Sequence, residues 1–552
     1  MPNFSNGRDR EVIGAITSAV ESVEGAVLLG VDPGVSTNRT VITFVGSPDA
    51  VVEGAVRAGI VAAEQIDMRH HRGEHPRFGA MDVCPFVPIS GITMDQVAEM
   101  AREAGHRLGE AGLTVYLYED AASAPHRRNL ADVRAGEYEG LVDKLIDPAW
   151  QPDFGPAEFN QRSGATAVGA RAFLIAYNVN LNTTSTRRAN AVAFDVRERG
   201  RVERTGDPLT GEVDRDADGE PRWAPGMLEA VKAIGWYIDE YRQAQVSMNL
   251  TDISVTPLHV AFDAVRERAA ARGMRVTGSE IVGMVPLRAM LDAGRHYLTR
   301  QQRSHGISDE EIVNIAATSM GLDDLTPFEP AEKIIEWRMA QRGARLASRS
   351  VTDFIRETAF ESPAPGGGSV AALTGALGAA LGTMVANLSA HKRGWDNRWE
   401  EFSNWAVRGK ELHTRLLALV DADTDAFGAL MDAYRMPSST GDEAAERKAA
   451  VQAATRGAID VPIAIMEASV EAMDVAATMA EQGLESSVSD AGVGALMVRA
   501  AVRGAHLNVL INAVGLTDES ERAAYLERAA GLEDIVSERE TAILAQVRQR
   551  IF

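Results

Sequence analysis

The spacing of apolar residues changes near residue 350, and this change restricts the chain to folds that join two unlike parts. Before about residue 335, short apolar runs alternate with longer helical patterns, which is typical of alternating strands and helices. From Val351 onward the spacing is helical, and no convincing strand pattern occurs. Residues 338–350 are basic and separate the two patterns. The sequence therefore predicts a multidomain protein in which two α/β sandwich units precede an all-α helical bundle.

A chain of 552 residues is too long for a single hydrophobic core, so more than one domain is expected. We predict α/β units at 1–177 and 178–335, a linker at 336–350 and the helical bundle at 351–552. The helices of the first unit are expected on one face of its sheet. Residues 200–223 are rich in Gly, Pro, Asp and Arg, which indicates an exposed insertion of unknown role.

The composition argues against several classes of function. A formal net charge of −22 at pH 7 argues against a general binder of nucleic acids or of anionic membranes. The one cysteine, Cys84, allows no internal disulfide and fits a reducing compartment. The polar N-terminus contains no signal-peptide core, and we expect a cytoplasmic protein. Residues 369–390 are long enough to span a membrane, but they are mostly Ala, Gly, Ser and Thr, which favours a buried helix of a soluble bundle.

Titratable side chains are concentrated at the start of residues 72–88, Arg-Gly-Glu-His-Pro-Arg-Phe-Gly-Ala-Met-Asp-Val-Cys-Pro-Phe-Val-Pro, just before an apolar run that indicates a buried strand. Pro76 keeps His75 out of the helical conformation, so His75 is expected on a loop beside a core strand. Such a histidine is well suited to proton transfer near neutral pH. From spacing alone, a loop histidine that only makes a hydrogen bond is the simpler interpretation.

Two further stretches of the first part are loops with polar centres. A predicted strand, 26–32, ends in the carboxylate of Asp32, and a turn of small and polar residues follows it. Residues 153–166 contain glycines and a proline around polar residues and lead into a clear strand at 173–181. Taken alone, an Asx turn at Asp32 and an ordered surface loop at 153–166 explain both stretches.

The predicted bundle contains a second group of candidate residues. Pro365 is followed by three glycines and Ser369 immediately before the most apolar helix. Consecutive glycines let a backbone approach a ligand or a neighbouring helix closely, and free amides at a helix N-terminus favour an anion. On a later helix, Asp423 lies on the opposite side from Asp421 and Asp425. A solvated acidic face is the simplest interpretation, and it suits Asp421 or Asp425 better than all three.

These motifs resemble two enzyme families. The segment 72–88 and the stretch Asp-x-Gly-x-Ser-Thr-Asn-Arg-Thr that begins at Asp32 closely resemble the formiminotransferase family. The combination of Pro-Gly-Gly-Gly-Ser at 365–369, Leu-Val-Asp-Ala-Asp at 419–423 and Asn-Val-Leu-Ile-Asn at 508–512 resembles the formiminotetrahydrofolate cyclodeaminase family. The likeness covers nearly the whole chain, which is therefore similar to the family in which both activities are fused.

The resemblance implies transfer of the formimino group of N-formimino-L-glutamate to N5 of tetrahydrofolate. It then implies cyclisation of 5-formiminotetrahydrofolate to 5,10-methenyltetrahydrofolate with release of ammonia. These are steps of histidine degradation and one-carbon metabolism. The implied co-substrate is tetrahydrofolate in polyglutamylated form, and neither step requires a metal. The resemblance further implies ferredoxin-like α/β subdomains and a homo-oligomer, namely an octamer, with small-molecule substrates as the binding partners.

The resemblance also implies roles for individual residues. His75 is implied as the catalytic acid and base of formimino transfer, Asp32 as a group that positions or polarises atoms there, and Asp423 as the catalytic carboxylate of cyclodeamination. The residues implied to contact folate are Gly155, Pro156, Ala157, Glu158, Phe159, Asn160, Gln161, Arg162, Ser163 and Gly164. The turn expected to line the cyclodeaminase pocket consists of Gly366, Gly367, Gly368 and Ser369. No metal site is expected.

Two other classes of function stay open. His70, His71 and His75 could bind a metal and make the first part a metal-dependent hydrolase, although their spacing fits no standard zinc signature. The chain could also be an inactive folate-binding scaffold, which the presence of His75, Asp32 and Asp423 disfavours. A formyl instead of a formimino donor, and channelling of polyglutamate, are open as well.

Overall fold

The computed structural model of the chain describes residues 1–552 except for residues 36, 74–76, 90, 207–210, 240, 341–344 and 362–363. Its contacts divide the chain into two compact units. The first comprises Met1–Asp292 and Met320–Gln341, and the second comprises Ala293–Ser319 and Arg342–Phe552. Mixed sheets with helices form the first unit, and the second is predominantly helical. The change of spacing near residue 350 predicted this division into unlike architectures.

A six-stranded sheet forms the first half of the first unit. Its strands are β1 (Asn3–Phe4), β2 (Ala26–Gly34), β3 (Arg39–Gly46), β4 (Met81–Phe86), β5 (Thr114–Glu119) and β6 (Ala165–Ala170). They are ordered β2-β3-β1-β4-β6-β5, and β6 runs parallel to β4 and β5 while the other pairs are antiparallel. The helices packed on one face are α1 (Arg10–Glu21), α2 (Pro48–Gln65) and α3 (Met94–Glu110).

Local sequence signals fix the starts of α2 and α3. The Ser47 side chain accepts a hydrogen bond from the Ala50 amide, and Pro48 occupies the first helical turn, where an amide hydrogen is not needed. Thr93 and Gln96 form a capping box at the start of α3. Both helices therefore begin where the sequence supplies partners for the amides that have none inside the helix.

The opposite face of this sheet is also covered at one end, so the expectation of helices on one face only was wrong. Side chains alternate along β5, and Tyr116 and Tyr118 point away from α1–α3 into a second apolar core. The covering layer contains the short helices α4 (Leu130–Val133) and α5 (Leu141–Ile146). Because both tyrosines are fully buried, β5 requires apolar partners on each face.

A second, four-stranded antiparallel sheet follows in the same unit, in the order β12-β13-β7-β14. Its strands are β7 (Ile175–Leu181), β12 (Val231–Ile238), β13 (Gln243–Leu250) and β14 (Val276–Val282), and its helices are α6 (Thr186–Val196) and α7 (Leu258–Ala270). Two ribbons occupy the predicted insertion: β8 (Arg201–Val202) pairs with β11 (Trp223–Ala224), and β9 (Arg204–Thr205) pairs with β10 (Glu212–Val213). Most of the described residues of this insertion are exposed or half-buried, as predicted.

A small apolar cluster joins the first sheet to the end of the unit. Leu29 of β2 is buried with Met284 and Ile335. Ile335 begins α11 (Ile335–Ala340), which follows α10 (Pro330–Lys333). Arg338 of α11 donates a hydrogen bond to the Leu29 carbonyl at 3.3 Å. The start of the predicted linker 336–350 is therefore helical and packed against β2.

The second unit is a helical bundle. Its later segment contains α12 (Val351–Thr358), α13 (Gly367–Ala390), α14 (Trp399–Arg435), α15 (Gly441–Gln482), α16 (Val488–Ala513) and α17 (Glu519–Ile551). Its earlier segment contains the end of α8 (Leu287–Arg300) and most of α9 (Asp309–Met320). By length and composition α13 is apolar enough to cross a membrane, and 61% of its most apolar stretch is buried inside the bundle. Such burial is typical of a core helix, which agrees with the prediction made from its small residues.

The small residues of α13 let its neighbours approach closely. A side-chain carbon on Gly378 would lie 2.8 Å from the Gly494 carbonyl oxygen of α16. One on Gly375 would lie 2.9 Å from Ser469 Oγ of α15. Both separations are shorter than ordinary van der Waals contact, so the neighbouring helices occupy space that side chains would otherwise need.

One helix is longer than its sequence pattern predicted. Separate helices were expected at 441–473 and 478–482, whereas α15 runs without interruption from Gly441 to Gln482. Residues 474–482 contain neither glycine nor proline, so nothing in the sequence breaks the helix there. Pro462 lies inside the helix and does not end it.

A segment that precedes the predicted linker packs into the helical unit. Ser304 Oγ donates to Asn387 Oδ1 at 2.6 Å, and Asn387 Nδ2 donates to the Gly306 carbonyl at 3.0 Å. The Ser304 amide donates to His391 Nε2 at 3.1 Å, so this nitrogen carries no proton. Burial lowers the pKa of His391, which favours that neutral form. The compact helical unit therefore extends beyond the predicted bundle at 351–552.

The Gly306→Ala substitution is expected to destabilise the helical unit. A methyl group at this position would overlap Ala406, a fully buried residue of α14, so the backbone would have to shift. We expect a loss of about 1–3 kcal/mol in the free energy of unfolding, measured by denaturant unfolding followed by circular dichroism.

The matched control is Gly428→Ala, because its position in α14 faces open space and alanine is the better helix former. This control should be neutral or stabilising. Equal stabilities for the two variants would contradict the close contact at Gly306.

Candidate functional site

Asp423 lies at the start of α13 although it belongs to α14. Its carboxylate accepts a hydrogen bond from Ser369 Oγ at 2.9 Å and another from the Ser369 backbone amide. Ser369 is fully buried, and its hydroxyl oxygen also lies 3.1 Å from the Val420 carbonyl oxygen. The structure thus brings together two candidates that the sequence placed far apart, namely the middle aspartate and the end of the glycine-rich turn.

The glycine-rich turn leaves room for this carboxylate. α13 begins at Gly367, and its N-cap residue, Gly366, has no side chain that could accept hydrogen bonds from the first amides. A side-chain carbon on Gly368 would overlap the Asp423 carboxylate. The carboxylate from α14 therefore takes the position of a capping group, at the helix end that favours negative charge.

The two flanking aspartates have different surroundings. Asp421 Oδ1 accepts a hydrogen bond from the Leu346 amide at 2.7 Å, so it holds the chain that precedes α12. Asp425 is exposed. Of the three aspartates, Asp423 is the one that bonds to Ser369 of α13, and it lies on the opposite side of α14 from the other two, as helical geometry predicted.

Three further polar residues near the turn differ in what they contact. Asn508 of α16 faces Gly367, where a side-chain carbon would lie 3.4 Å from Asn508 Nδ2. Asn512 instead donates to a backbone carbonyl of α15 at 2.7 Å, so its role is to hold two helices together. Sequence reasoning missed Thr424, whose Oγ1 lies 3.4 Å from Ser369 Oγ. A single threonine inside an ordinary helical pattern gives no signal of such a contact.

The protonation of Asp423 is governed by its burial. Burial raises the pKa of this carboxyl group, and the two hydrogen bonds from Ser369 oppose part of the rise. A carboxyl group with a raised pKa can accept and return a proton closer to neutral pH than an exposed one can. The arrangement therefore suits general acid–base chemistry on a ligand near the first turn of α13.

His75 and the residues on either side of it lie outside the described residues, so the predicted acid and base of the first part is not placed. The chain before it is held by the turn that follows Asp32. Asn38 Nδ2 donates to the Arg72 carbonyl at 3.0 Å, and His71 Nε2 donates to the Asn38 carbonyl at 2.8 Å. The turn after Asp32 and the start of the segment 72–88 are therefore in contact, although they are far apart in the sequence.

The chain after residue 76 is held by a buried carboxylate. Asp82 Oδ1 accepts a hydrogen bond from the Phe78 amide at 2.8 Å. Its other oxygen pairs with Arg134 at 2.9 Å and with Arg39. Burial lowers the pKa of Arg39 to about 9, so this cluster is tightly enclosed. Polar contacts thus hold the chain at Arg72 and at Phe78, on either side of residues 74–76.

Asp32 itself is exposed near the end of β2. The predicted strand ended at Asp32, but pairing with β3 continues to Gly34, which lies opposite Arg39. The turn between the two strands is therefore shorter than the sequence suggested. It lies directly against the segment that leads to residues 74–76, because a side chain on Gly73 would overlap the Thr37 carbonyl.

The loop 155–164 is an ordered turn whose two ends require glycine. Gly155 and Gly164 have φ angles of +80° and +65°, and side chains there would collide with neighbouring backbone. Asn160 Oδ1 accepts hydrogen bonds from the amides of Arg162 (3.0 Å) and Ser163 (3.2 Å), which closes the turn. Residues 155–162 are exposed except for the half-buried residue 159. The Arg162 guanidinium donates to the Glu64 carbonyl in the last turn of α2, which anchors the loop.

The neighbouring histidines do not converge. His70 is exposed at the end of a short 3₁₀ turn, whereas His71 is buried and bonded to the Asn38 carbonyl. Within the described part of the chain, no group of three or more His, Cys, Asp or Glu residues is placed to hold a metal ion. Because His75 is not among those residues, this finding concerns only His70 and His71 of the three histidines in the metal hypothesis.

Comparison with known families gives three matches in sequence order. Residues 1–171 match the family described as "Formiminotransferase domain, N-terminal subdomain". Residues 176–340 match "Formiminotransferase domain", and residues 350–531 match "Formiminotransferase-cyclodeaminase". The three matches together extend over most of the chain.

Individual relatives cover either the whole chain or one part of it. The chain is 41% identical to "Formimidoyltransferase-cyclodeaminase" of Rattus norvegicus over 96% of its own length and 95% of that protein. It is 40% identical to "Glutamate formimidoyltransferase" of Thermoplasma acidophilum over 54% of its length and 91% of that protein. It is 38% identical to "Methenyltetrahydrofolate cyclohydrolase" of Methylorubrum extorquens over 35% of its length and 90% of that protein.

The raised pKa of Asp423 predicts how stability depends on pH in the Asp423→Asn variant. The folded state holds the Asp423 proton more tightly than the unfolded state, so ionisation of this group opposes folding. This penalty is complete above the folded-state pKa and vanishes below the unfolded-state pKa of about 3.9. We therefore expect the amide variant to melt at a higher temperature near neutral pH, and the difference to shrink on acidification.

Thermal unfolding of both proteins across this pH range measures the effect. A variant that melts below the unmodified protein near neutral pH, or a difference that grows on acidification, would contradict the raised pKa.

Proposed function

The chain belongs to the formimidoyltransferase-cyclodeaminase family, and from this membership we propose how its residues carry the two reactions. It is a bifunctional folate enzyme, a glutamate formimidoyltransferase and a formimidoyltetrahydrofolate cyclodeaminase. The first reaction moves the formimino group of N-formimino-L-glutamate to N5 of tetrahydrofolate. The second forms 5,10-methenyltetrahydrofolate and releases ammonia. The observation that carries this conclusion is the 41% identity over 96% of the chain.

His75 is our candidate for the proton transfers of the first reaction. N5 of tetrahydrofolate attacks the formimino carbon and must lose a proton, and the glutamate nitrogen must gain one as it leaves. One group that titrates near neutral pH can do both in turn, and histidine is that group. Asn38 bonds to Arg72 and Asp82 bonds to Phe78, so the described chain is held on either side of residues 74–76. Asp32 is proposed to position or polarise groups in the same site.

Asp423 is our candidate for the second reaction. N10 attacks the carbon of the formimino group in its protonated, amidinium form and gives up a proton, and the formimino nitrogen must receive one more proton to leave as ammonia. A single carboxylate can accept the first proton and return it to the leaving nitrogen. Its raised pKa and its place at the amino end of α13 support this role. The turn of Gly366, Gly367, Gly368 and Ser369 is proposed to border the pocket, with the Ser369 side chain buried against Asp423.

Tetrahydrofolate is the proposed ligand of the loop 155–164. The backbone of this loop is fixed by its two glycine ends, and most of its residues are exposed, which suits contact with a flat polar ring system. We propose polyglutamylated tetrahydrofolate as the form used, with no metal in either step.

We also propose that the two α/β subdomains are ferredoxin-like and that the functional domains divide near residues 177 and 335–350.

We propose that the protein is a homo-oligomer, and an octamer by family resemblance. Large apolar side chains on the outside of two packed helices support an association between copies. The most exposed of these are Leu377 on α13, Leu507 and Ile511 on α16, and Val514 directly after α16, which are 49–76% exposed. Exposed apolar surface of this kind is typical of protein–protein contacts. Small molecules are the proposed ligands, and the cytoplasm is the proposed location.

The two alternative classes of function fare differently. None of the relatives compared above is named as a metal-dependent hydrolase, so the comparisons give the metal hypothesis no support.

An inactive folate-binding scaffold is distinguished from the enzyme by turnover. The test is a coupled assay with N-formimino-L-glutamate and tetrahydrofolate that follows ammonia and the absorbance of methenyltetrahydrofolate. Saturable binding of folate without either product would contradict the proposed function.

The His75→Ala substitution is expected to abolish formimino transfer, because no other group in the Glu-His-Pro-Arg segment titrates near neutral pH. Cyclodeamination of supplied 5-formiminotetrahydrofolate should continue, since it depends on Asp423. Steady-state assays of the two half-reactions measure this. Near-normal transfer by the variant would overturn the assignment of His75, and His70→Ala, which changes an exposed histidine, is the matched control.

The Asp423→Asn substitution is expected to lower the cyclodeaminase rate by at least about a hundredfold, because the amide cannot take up or return the proton. Formimino transfer should persist, so 5-formiminotetrahydrofolate should accumulate. Asp425→Asn is the matched control, since its exposed carboxylate should cost much less activity. Ammonia release at the normal rate by the first variant, or greater damage by the second, would refute the role of Asp423.

A further inference from the structure

We propose that Ser369 is a positioning residue for cyclodeamination, and that its hydroxyl turns between Asp423 and the Val420 carbonyl as Asp423 loses and gains a proton. The inference rests on the proposed role of Asp423 and adds a residue that acts through it. The chemistry of the reaction alone does not point to this serine. The geometry around its oxygen atom does.

Ser369 Oγ lies within hydrogen-bond distance of two acceptors, although a hydroxyl group has one hydrogen to donate. Asp423 Oδ2 is 2.9 Å away, and the Val420 carbonyl oxygen is 3.1 Å away. Thr424 Oγ1, at 3.4 Å, is a more distant third neighbour. Both close acceptors belong to α14, so the hydroxyl can exchange one for the other by rotation about its own C–O bond, without movement of either helix.

The two orientations match the two protonation states of the carboxyl group. When Asp423 is ionised, the Ser369 hydroxyl donates to Oδ2. When Asp423 has taken the N10 proton, its own O–H donates to Ser369 Oγ, and the serine hydrogen turns to the Val420 carbonyl. That carbonyl has a second lone pair available beside its helical hydrogen bond. The Asp423 O–H then turns from Ser369 to the formimino nitrogen and gives up its proton as ammonia leaves, and the serine hydrogen turns back to Oδ2. Serine neither gains nor loses a proton overall.

Burial is what makes the second acceptor necessary. Ser369 has no exposed surface, so water cannot take over a hydrogen bond that Asp423 gives up. A buried polar group without a partner is costly, and that cost would fall on one protonation state if Asp423 were the sole acceptor. The Val420 carbonyl removes this cost. A carboxyl group that must alternate between two states during turnover is thereby hydrogen-bonded in both.

The charged groups around Asp423 do not supply the same effect. On α14, Asp421 is bonded to the Leu346 amide and Asp425 is exposed. On α16, His506 and Arg503 pair with Glu533 of α17. The first six residues of α13 carry no charge. Burial and the Ser369 hydrogen bonds set the direction of the Asp423 pKa, and no charged side chain of the described elements contributes to it.

The test is the pH dependence of kcat/KM for ammonia release from supplied 5-formiminotetrahydrofolate by the full-length protein. Activity requires ionised Asp423, so it falls as pH drops through the pKa of this group. The hydrogen bond to the ionised form is the stronger of the two, and its loss in Ser369→Ala raises that pKa. We expect the acidic limb of the profile to move upward by about one pH unit.

Two further variants keep this result interpretable. Ser469→Ala removes another fully buried hydroxyl of the same bundle, one that has no hydrogen-bond partner in the described part of the chain, and should leave the profile unchanged. Ser369→Cys has nearly the same shape with a much weaker donor, so it should move the limb in the same direction if the alanine variant does not fold. Thermal unfolding of each variant verifies that it is folded.

The outcomes separate the inference from the proposed function. A shifted limb in the Ser369 variants, with an unshifted limb in Ser469→Ala, supports the inference. A limb that stays in place in a folded Ser369 variant, or that moves equally in Ser469→Ala, overturns it while Asp423→Asn still shows the loss that the proposed function requires. If the unmodified protein releases no ammonia, or Asp423→Asn is fully active, the proposed function itself fails.

Discussion

The contact of the Asp423 carboxylate with the first turn of α13 is the interaction on which the helical site depends. α13 starts with glycines and has no capping side chain of its own, so its first amides need an acceptor from elsewhere. Asp423 supplies that acceptor from α14 and fits because Gly368 has no side chain. The same group is thus a structural cap, which favours its charge, and the proposed proton acceptor, a role in which it must be able to lose that charge.

Close packing of the bundle fixes α13 against its neighbours. Gly375 and Gly378 let α13 lie close to α15 and α16, and Gly409 of α14 leaves room for Thr383 of α13. The other end of α13 is fixed by the polar contacts of Asn387 and His391 with the segment around Ser304. A helix held at both ends moves little, so Ser369 can respond to the proton on Asp423 by turning a hydroxyl alone.

Local patterns in the sequence predicted helices and the face on which a residue lies better than they predicted contacts. The helical spacing after Val351 and the opposite placement of Asp423 relative to its neighbours were both confirmed. The contact between Ser369 and Asp423 joins residues 54 positions apart, and helical spacing carries no information about such a pairing. The layer over Tyr116 and Tyr118 was missed because its helices are four and six residues long, too short to show a period.

The segment around Ser304 shows why family boundaries and structural boundaries need not agree. By sequence it lies within residues 176–340, which match the formiminotransferase domain. By contact it belongs to the helical unit, where Ser304 bonds to Asn387 and His391 and where Gly306 lies against Ala406. Ser304 is fully buried, so its hydroxyl and amide would be costly to leave unpaired. A truncation at the end of the matched domain would remove the partners of Asn387 and His391 of α13's C-terminal end and of Ala406 of α14. The helical unit is therefore complete only when it includes residues from before the predicted linker.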